Sequence, residues 1–280
     1  MEQTPYTGYT IKDIKFSSKP VSETMKQFME AYTKPVVPAY RTIVNDLITT
    51  THLGVVDSRF VYTPLFGFGV TTIFKEFFKS YPSAGEGFSG QDEVDQIYDA
   101  FVSSLDFKPA DFKADTAAIM ECFAGKTEEE ILALFASPDD SALGKTAAAM
   151  KATADSPAKD RFLYTRSTGV GLFTIMNAVG IEDISNDDIK KWGEALGMKS
   201  FTMMESDLQL FNDSLAKLRE MEQLFKEIEI REKKKLAARL EEKANKAAEA
   251  AAKAKAEQEE PKAEEAAKEG EEEPKASAEV

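Results

Sequence analysis

The sequence predicts an all-α protein. It reads as a multi-helix bundle with pseudo-duplicated halves, followed by a long C-terminal helix or coiled coil and a disordered acidic tail. Three observations carry that prediction. Apolar residues recur at the helical period from about residue 21 onward, and no convincing run alternates as a strand would. The segment FVYTPLFGFGVTTIF at 60–74 returns as FLYTRSTGVGLFTIM at 162–176, with seven identities at one spacing. Beyond Ile230 the composition turns to Ala, Glu and Lys.

In chain order, residues 1–20 read as an irregular arm, 21–205 as the helical bundle, 206–260 as the long helix with a coiled-coil seam at 208–230, and 261–280 as the acidic tail. Met25, Phe28, Met29 and Tyr32 share a face behind Ser22, a candidate N-cap. Pro35 and Pro38 interrupt that helix. Ile43, Val44, Leu47, Ile48 and Thr51 mark the next one, and Val94, Ile97, Tyr98, Phe101 and Leu105 a later one. Thr127 with Glu130 forms a capping box ahead of Ile131, Leu132, Leu134 and Phe135. Ser185 caps a helix carrying Ile189, Trp192 and Leu196. Loops are expected at 82–91, 137–140 and around 154–160. Phe211, Leu215, Leu218, Met221 or Glu222, Phe225 and Ile228 alternate steps of three and four, the pattern of a coiled-coil seam. The pairs Glu227–Arg231, Glu229–Lys233, Glu242–Lys246 and Glu249–Lys253 have the favourable order, each worth about 0.2–0.5 kcal/mol on an exposed helix. That helix is expected to run on to Pro261, and the polar, acidic residues after it to be disordered.

The repeated segment is the centre of the sequence. Thr63 and Thr165 are placed to cap helices, and Pro64 follows the first of them at the position where its missing N–H costs nothing. Arg166 stands there in the second copy. The first copy is apolar nearly all round, as a helix inside a bundle is. Gly67 and Gly69, matched by Gly169 and Gly171, each cost about 1 kcal/mol of helix propensity against Ala. Close approach of another backbone is the simplest compensation. A phosphate-binding turn is the competing reading. However, Thr72 and Thr174 stand where its third glycine belongs, and no Lys-Ser/Thr pair follows. Leu105-x-Phe107 and Leu196-x-Met198 also echo one another, which suggests two related helical units about a pseudo-two-fold axis.

Composition narrows the function. With 35 basic residues against 49 acidic, the chain lacks the net basic character of a nucleic-acid binder. A single cysteine, Cys122, excludes an intrachain disulfide and fits a reducing compartment. No apolar run approaches the ~20 residues of a membrane span, and the start reads neither as a signal peptide nor as an organelle presequence. His52 is the only histidine, which removes most catalytic and metal-site templates, and no cofactor is expected. A Cys122–His52 dyad is disfavoured because Cys122 sits at an apolar helix end. His52 is expected to cap the C-terminal end of its helix. Asp187-Asp188 and Asp139-Asp140 read as helix starts or turns. Arg41 and Arg166 stand out in apolar surroundings and are expected to be buried or half-buried hydrogen-bonding clamps. Arg231, Lys234, Lys235 and Arg239 make a basic cluster that is either a solvated stripe or a contact for anionic lipid or a partner.

Lys26-x-Phe28…Tyr32-x-x-Pro35…Tyr40-Arg41-x-x-Val44…Leu47…His52-Leu53, then Phe60-x-Tyr62-x-x-Leu65-Phe66-x-x-Gly69, resembles the thylakoid formation protein family over about residues 18–230. Tyr164-Thr165-Arg166…Gly171-Leu172 is similar to that family's second motif. This chain departs from the family in Thr63, in Gly67 where alanine is usual, in the loop at 82–91 and in the Ala/Glu/Lys tail. The resemblance implies a non-enzymatic accessory protein on the stromal side of chloroplast thylakoids, or the cytoplasmic side in a cyanobacterium. It would serve thylakoid organisation and photosystem II assembly and repair, associate peripherally with the membrane, and bind FtsH-type membrane proteases. The tail favours an algal plastid as the source. The contrasting class is an enzyme or small-molecule binder with a pocket beside Tyr62, Tyr164, Arg41 or Arg166.

Overall fold

A computed structural model describes residues 19–82, 90–154, 162–198 and 200–268. Among these, helices α1 (Val21–Ala31), α2 (Pro38–Val55), α3 (Pro64–Phe78), α4 (Gly90–Ser104), α5 (Pro109–Phe123), α6 (Glu128–Ala136), α7 (Ala142–Ala154), α8 (Arg166–Ala178), α9 (Asn186–Ala195) and α10 (Thr202–Lys268) follow one another with no strand. The all-α class expected from periodicity is the one observed. The proposed N-terminal arm at 1–18, most of the loop at 82–91, the loop at 155–160 and the tail at 269–280 lie outside the described residues.

The helix boundaries follow local chemistry. Thr63 and Thr165 accept hydrogen bonds from the N–H groups of Phe66 and Thr168 and so cap α3 and α8. Thr127 with Glu130 and Ser185 with Asp188 form reciprocal capping boxes at α6 and α9. Ser22 does not cap α1. Pro20 holds that position with no side-chain bond, because proline's fixed φ already sets the entry and places Ser22 inside the first turn. Pro38 opens α2 rather than breaking α1. The echo between Leu105-x-Phe107 and Leu196-x-Met198 is a shared helix ending. Phe107 N–H bonds the Val102 carbonyl and Met198 N–H bonds the Gly193 carbonyl, around left-handed residues Asp106 (φ 65°) and Gly197 (φ 79°).

The chain divides into two compact units, 1–218 and 219–280. In the first, α3 and α8 are buried on nearly every side, and the described cluster around Leu65, Phe68, Leu172, Phe173, Phe135 and Trp192 surrounds them. Fully burying such side chains contributes about 1.5–3 kcal/mol each. An aromatic stack runs beside α3. Phe74 and Phe78 lie parallel at 4.2 Å between centroids, and Tyr40 meets Phe78 at 5.3 Å. On α1 the buried row is Thr24, Phe28 and Tyr32, whereas Met29, expected on that face, is 62% exposed. The i, i+4 row through a polar threonine wins because Thr24 has a buried partner in His52.

The start of α10 belongs to the first unit. Met204 is buried, Leu208 packs against the core cluster, and Phe211 stacks on Phe77 at 6.4 Å. In the second unit α10 stays helical to Lys268 and passes through Pro261, where the sequence predicts its end. One proline removes a single backbone bond, and the helix formers flanking it continue the turn.

Gly69 and Gly171 set the first test of this fold. A Cβ on Gly69 would overlap the Ser167 carbonyl, whose carbon would lie 2.6 Å away. A Cβ on Gly171 would lie 3.0 Å from the Leu65 carbonyl oxygen. A Cβ on Gly67 would crowd the Tyr62 phenol oxygen, at 2.7 Å, and otherwise meet side chains at ordinary contact distance. Gly69→Ala is therefore expected to cost more than about 3 kcal/mol and Gly171→Ala about 1–3 kcal/mol. Gly67→Ala costs less, because a side-chain tip gives way more readily than backbone and alanine recovers about 1 kcal/mol of propensity. Chemical denaturation of the three variants checks the ranking, which fails if Gly67→Ala is the most damaging.

Candidate functional site

The two copies of the repeated segment touch each other reciprocally. Gly69 on α3 faces the carbonyl of Ser167, and Gly171 on α8 faces the carbonyl of Leu65, the residue equivalent to Ser167. Each first glycine has a different role from the one the sequence predicts. Gly67 sits under the hydroxyl of its own copy's Tyr62, and Gly169 under the hydroxyl of Tyr164. So one glycine of each pair admits a backbone and the other admits a phenol. No phosphate-binding turn results, because both Gly-x-Gly stretches lie inside helices and are buried.

The two phenols end differently. Tyr62 O–H donates to Asp115 Oδ2 on α5 at 2.6 Å, among Phe66, Phe107 and Phe112. Burial, then the neighbouring Asp115 charge, pushes the Tyr62 phenol far above its ordinary value. Burial also raises the Asp115 carboxyl, against the bond from Tyr62 that lowers it. Tyr164 is raised by burial and by the charge of Asp207, yet its buried hydroxyl makes no well-aligned hydrogen bond. Asp207, on α10, is instead engaged by Arg166 Nε at 2.9 Å. Arg166 occupies the place of Pro64, so the second copy trades a tyrosine–carboxylate bond for an arginine–carboxylate bond.

Arg166 is the half-buried clamp expected of it, whereas Arg41 is more open than expected. Arg41 is exposed and donates from Nε to the Val36 carbonyl at 3.0 Å, while the Arg166 side chain is 43% exposed. Each does clamp a neighbour, but the long side chain keeps its head at the surface. His52 also departs from expectation. It does not cap the end of α2; it is 3% exposed, and its Nδ1 shares a hydrogen bond with Thr24 Oγ1 at 2.9 Å. Burial lowers its pKa below the ordinary 6.5. Cys122 packs in the other half, against the cluster that holds Trp192, so the two residues form no dyad.

Tyr32 marks a buried carboxylate that the sequence reading missed, while Pro35 is exposed. Glu93, at the start of α4, is 5% exposed and accepts from the Tyr32 hydroxyl at 2.6 Å and the Tyr81 hydroxyl at 3.3 Å. Tyr81 in turn accepts from the Val37 N–H, so one carboxylate joins the end of α1, the start of α2, the end of α3 and the start of α4. Its position in the first turn of α4 adds the favourable field of the helix N-terminus. Asp115 and Asp207 were missed too. Their signal was the echo after Leu105 and Leu196, which extended onward reaches each carboxylate within one residue of register. Phe60 is buried in the same aromatic group, 4.9 Å from Phe66.

Of the polar groups beside the Gly-x-Gly helices, Tyr62 is bonded to Asp115 and Arg166 to Asp207. The exposed chemistry lies on α10. Arg231, Lys234, Lys235 and Arg239 are all exposed, and Arg231 reaches Glu227 at 3.4 Å. Glu242–Lys246 is formed at 2.6 Å, and so is Glu222–Lys226 at 2.9 Å. No group of three or more His, Cys, Asp or Glu residues among the described ones is arranged to hold a metal ion. No described helix is long and apolar enough to cross a membrane.

Two predictions follow from the buried polar pairs. Tyr62→Phe leaves Asp115 without its donor and is expected to cost about 1–3 kcal/mol, whereas Tyr164→Phe removes a hydroxyl with no well-aligned bond and should cost less. Equal losses in urea melts would contradict this contrast. Because the folded His52 holds its proton less tightly than the unfolded one, its stability contribution is present above pH 6.5 and is lost as pH falls below it. The thermal midpoint should therefore drop between pH 7.5 and 5.5, and His52→Gln should flatten that dependence. An unchanged slope in the variant would assign the effect elsewhere.

Comparison with known proteins places this geometry. Residues 20–241 match the sequence model of the thylakoid formation protein family. The chain is 31% identical over 228 residues to Protein THYLAKOID FORMATION 1, chloroplastic, of Arabidopsis thaliana, covering 81% of this chain and 71% of that one. It is 26% identical over 228 residues to Protein Thf1 of Acaryochloris marina, covering 78% and 86% respectively. The solved structure of Psb29 at 1.55 Å superposes with a TM-score of 0.65 at 25% identity, covering 78% of this chain and 98% of that one.

Proposed function

The chain belongs to the thylakoid formation protein family, and from that premise we propose that it is a non-enzymatic accessory protein for thylakoid organisation and photosystem II assembly and repair. It works from the stromal face of the thylakoid, or the cytoplasmic face in a cyanobacterial setting, as a peripheral protein. Its partner is an FtsH-type membrane protease complex, which it binds and stabilises. The observation that supports this most is the reach of the family match. Residues 20–241 take in both Gly-x-Gly helices and the first forty residues of α10 together, so bundle and arm form one unit of resemblance.

The physical reading points the same way. The buried carboxylates and phenols are spent on holding helices together, and Arg41 and Arg166 clamp a carbonyl and a carboxylate of this chain. Past Leu218, α10 presents exposed Leu224, Ile228, Leu236 and Leu240 to a partner. In the contrasting class, an enzyme or small-molecule binder, the pocket would lie beside Tyr62, Tyr164, Arg41 or Arg166. Gly67 and Gly169 are instead filled by the phenols themselves.

Affinity capture from detergent-solubilised thylakoids, using the tagged full-length chain and read by mass spectrometry, tests the proposal. The arm should be removed after Leu218. A cut before Leu208 would strip Leu208 and Phe211 from the bundle. Full-length protein should bring down FtsH-type subunits, and the shortened chain should lose at least about ten-fold of that capture while keeping its thermal midpoint. Retained capture would exclude the arm. Capture of photosystem II intermediates alone would exclude the protease, and flotation on anionic liposomes that depends on Arg231, Lys234, Lys235 and Arg239 would favour a lipid-surface organiser.

A further inference from the structure

Helix α1 is held to the first unit by little apolar packing. Of its residues only Thr24 and Phe28 are buried, and Met29, Glu30 and Ala31 are open to solvent. Polar junctions hold its two ends. Just past the C-terminal end, the Tyr32 hydroxyl donates to Glu93 on α4 at 2.6 Å. At the N-terminal end three side chains converge. Thr24 Oγ1 shares a hydrogen bond with His52 Nδ1 on α2 at 2.9 Å. Lys19, just ahead of the helix, donates from Nζ to Gln27 Oε1 at 2.6 Å, to the Ser104 carbonyl at 2.9 Å and to Asp106 Oδ2 at 2.9 Å. A segment with few buried apolar contacts is one that opens locally at small cost.

The N-terminal junction already holds one cation out of water. The Lys19 side chain is 9% exposed, and its charged partner Asp106 is open to solvent. The charged groups acting on the His52 ring are Lys19, ahead of α1, and Asp106, in the turn after α4. Burial opposes a proton on the ring most strongly. The Lys19 backbone and the Asp106 carboxylate favour one, and the Lys19 ammonium opposes it. We propose that α1 is a pH-sensitive strap: a proton on His52 frees the N-terminal end of α1, with Lys19, from α2 and the end of α4, while Tyr32 on Glu93 keeps the other end tied. The reciprocal contact of α3 with α8 involves no residue of α1, so the rest of the bundle stays folded. Opening uncovers the sides of α2 and α4 on which α1 packs. In the open form the ring returns to water and to its ordinary pKa of 6.5. The closed strap therefore prevails at neutral pH, and the open one gains as pH falls below 6.5. The stability that His52 loses to acid is thereby concentrated in one helix instead of being spread over the bundle.

Amide hydrogen exchange of the full-length chain at pH 7.5 and 5.5, corrected for the intrinsic pH dependence of exchange, tests the strap. Amides of α1 should lose about ten-fold of their protection at the lower pH, the factor that one titrating group gives one unit below 6.5. Those of α3 and α8 should keep theirs. His52→Gln has no group to titrate there, so α1 should be equally protected at both pH values in that variant. In the wild-type chain the ring resonances of His52, the only histidine, should titrate in step with the loss of α1 protection. That second readout needs no substitution. The proposal is overturned if α1 keeps its protection at pH 5.5, if α3 and α8 loosen together with it, if the variant still responds to pH, or if the ring titrates while α1 stays closed.

Discussion

The contact of α3 with α8 at Gly69 and Gly171 is the constraint on which the bundle rests. A backbone carbonyl from each helix occupies the space a side chain would fill on the other. That closeness repays the propensity cost of glycine within a helix. It also explains why one chain carries the segment twice, since a reciprocal contact needs the same small residue at the same register on both partners. Everything else in the first unit is arranged around this pair. The caps at Thr63 and Thr165 fix where each helix starts, so each glycine arrives at the depth its partner requires.

The second pair of glycines turns that backbone contact into a polar one. Gly67 and Gly169 let a phenol lie along the helix that follows it, and each phenol points toward a carboxylate on a later helix. The two copies differ at their polar ends. Pro64 keeps the first site apolar, and Tyr62 alone serves Asp115. Arg166 brings a charge to the second, takes Asp207, and leaves the Tyr164 hydroxyl unpaired. The second site thereby anchors the start of α10 to the bundle through a charge-assisted bond. Glu93 plays the comparable part for α1, α2 and α4 through two tyrosines. These acids hold helices together, which accounts for a chain rich in perturbed tyrosines.

How far the sequence could be read depended on the range of the interaction. Helices with a pure apolar period, such as the one carrying Val94, Ile97, Tyr98, Phe101 and Leu105, were legible because packing and periodicity agree; all five are buried. Caps were legible where the capping group lies three residues away, as at Thr127 and Ser185. Met29 and His52 were misread for one reason. Thr24 looks like a surface residue until His52, 28 positions on, supplies its hydrogen bond. Glu93, Asp115 and Asp207 were hard to read for the same reason: an acidic residue on a helix reads as solvated unless its distant partner, Tyr32, Tyr62 or Arg166, is known. The family resemblance rested on Tyr32, Tyr62, Tyr164 and the glycines, which are the residues that hold the core contacts, so the motif and the fold report the same physics.

Native-state hydrogen exchange across a denaturant series measures the central claim most directly. If the α3–α8 contact holds the bundle, amides from Phe66 to Phe74 and from Thr168 to Met176 should exchange slowest, open together, and share the denaturant dependence of global unfolding. If those amides open locally, with a small denaturant dependence, while α6 and α9 stay protected, the fold rests on another contact and the account is wrong.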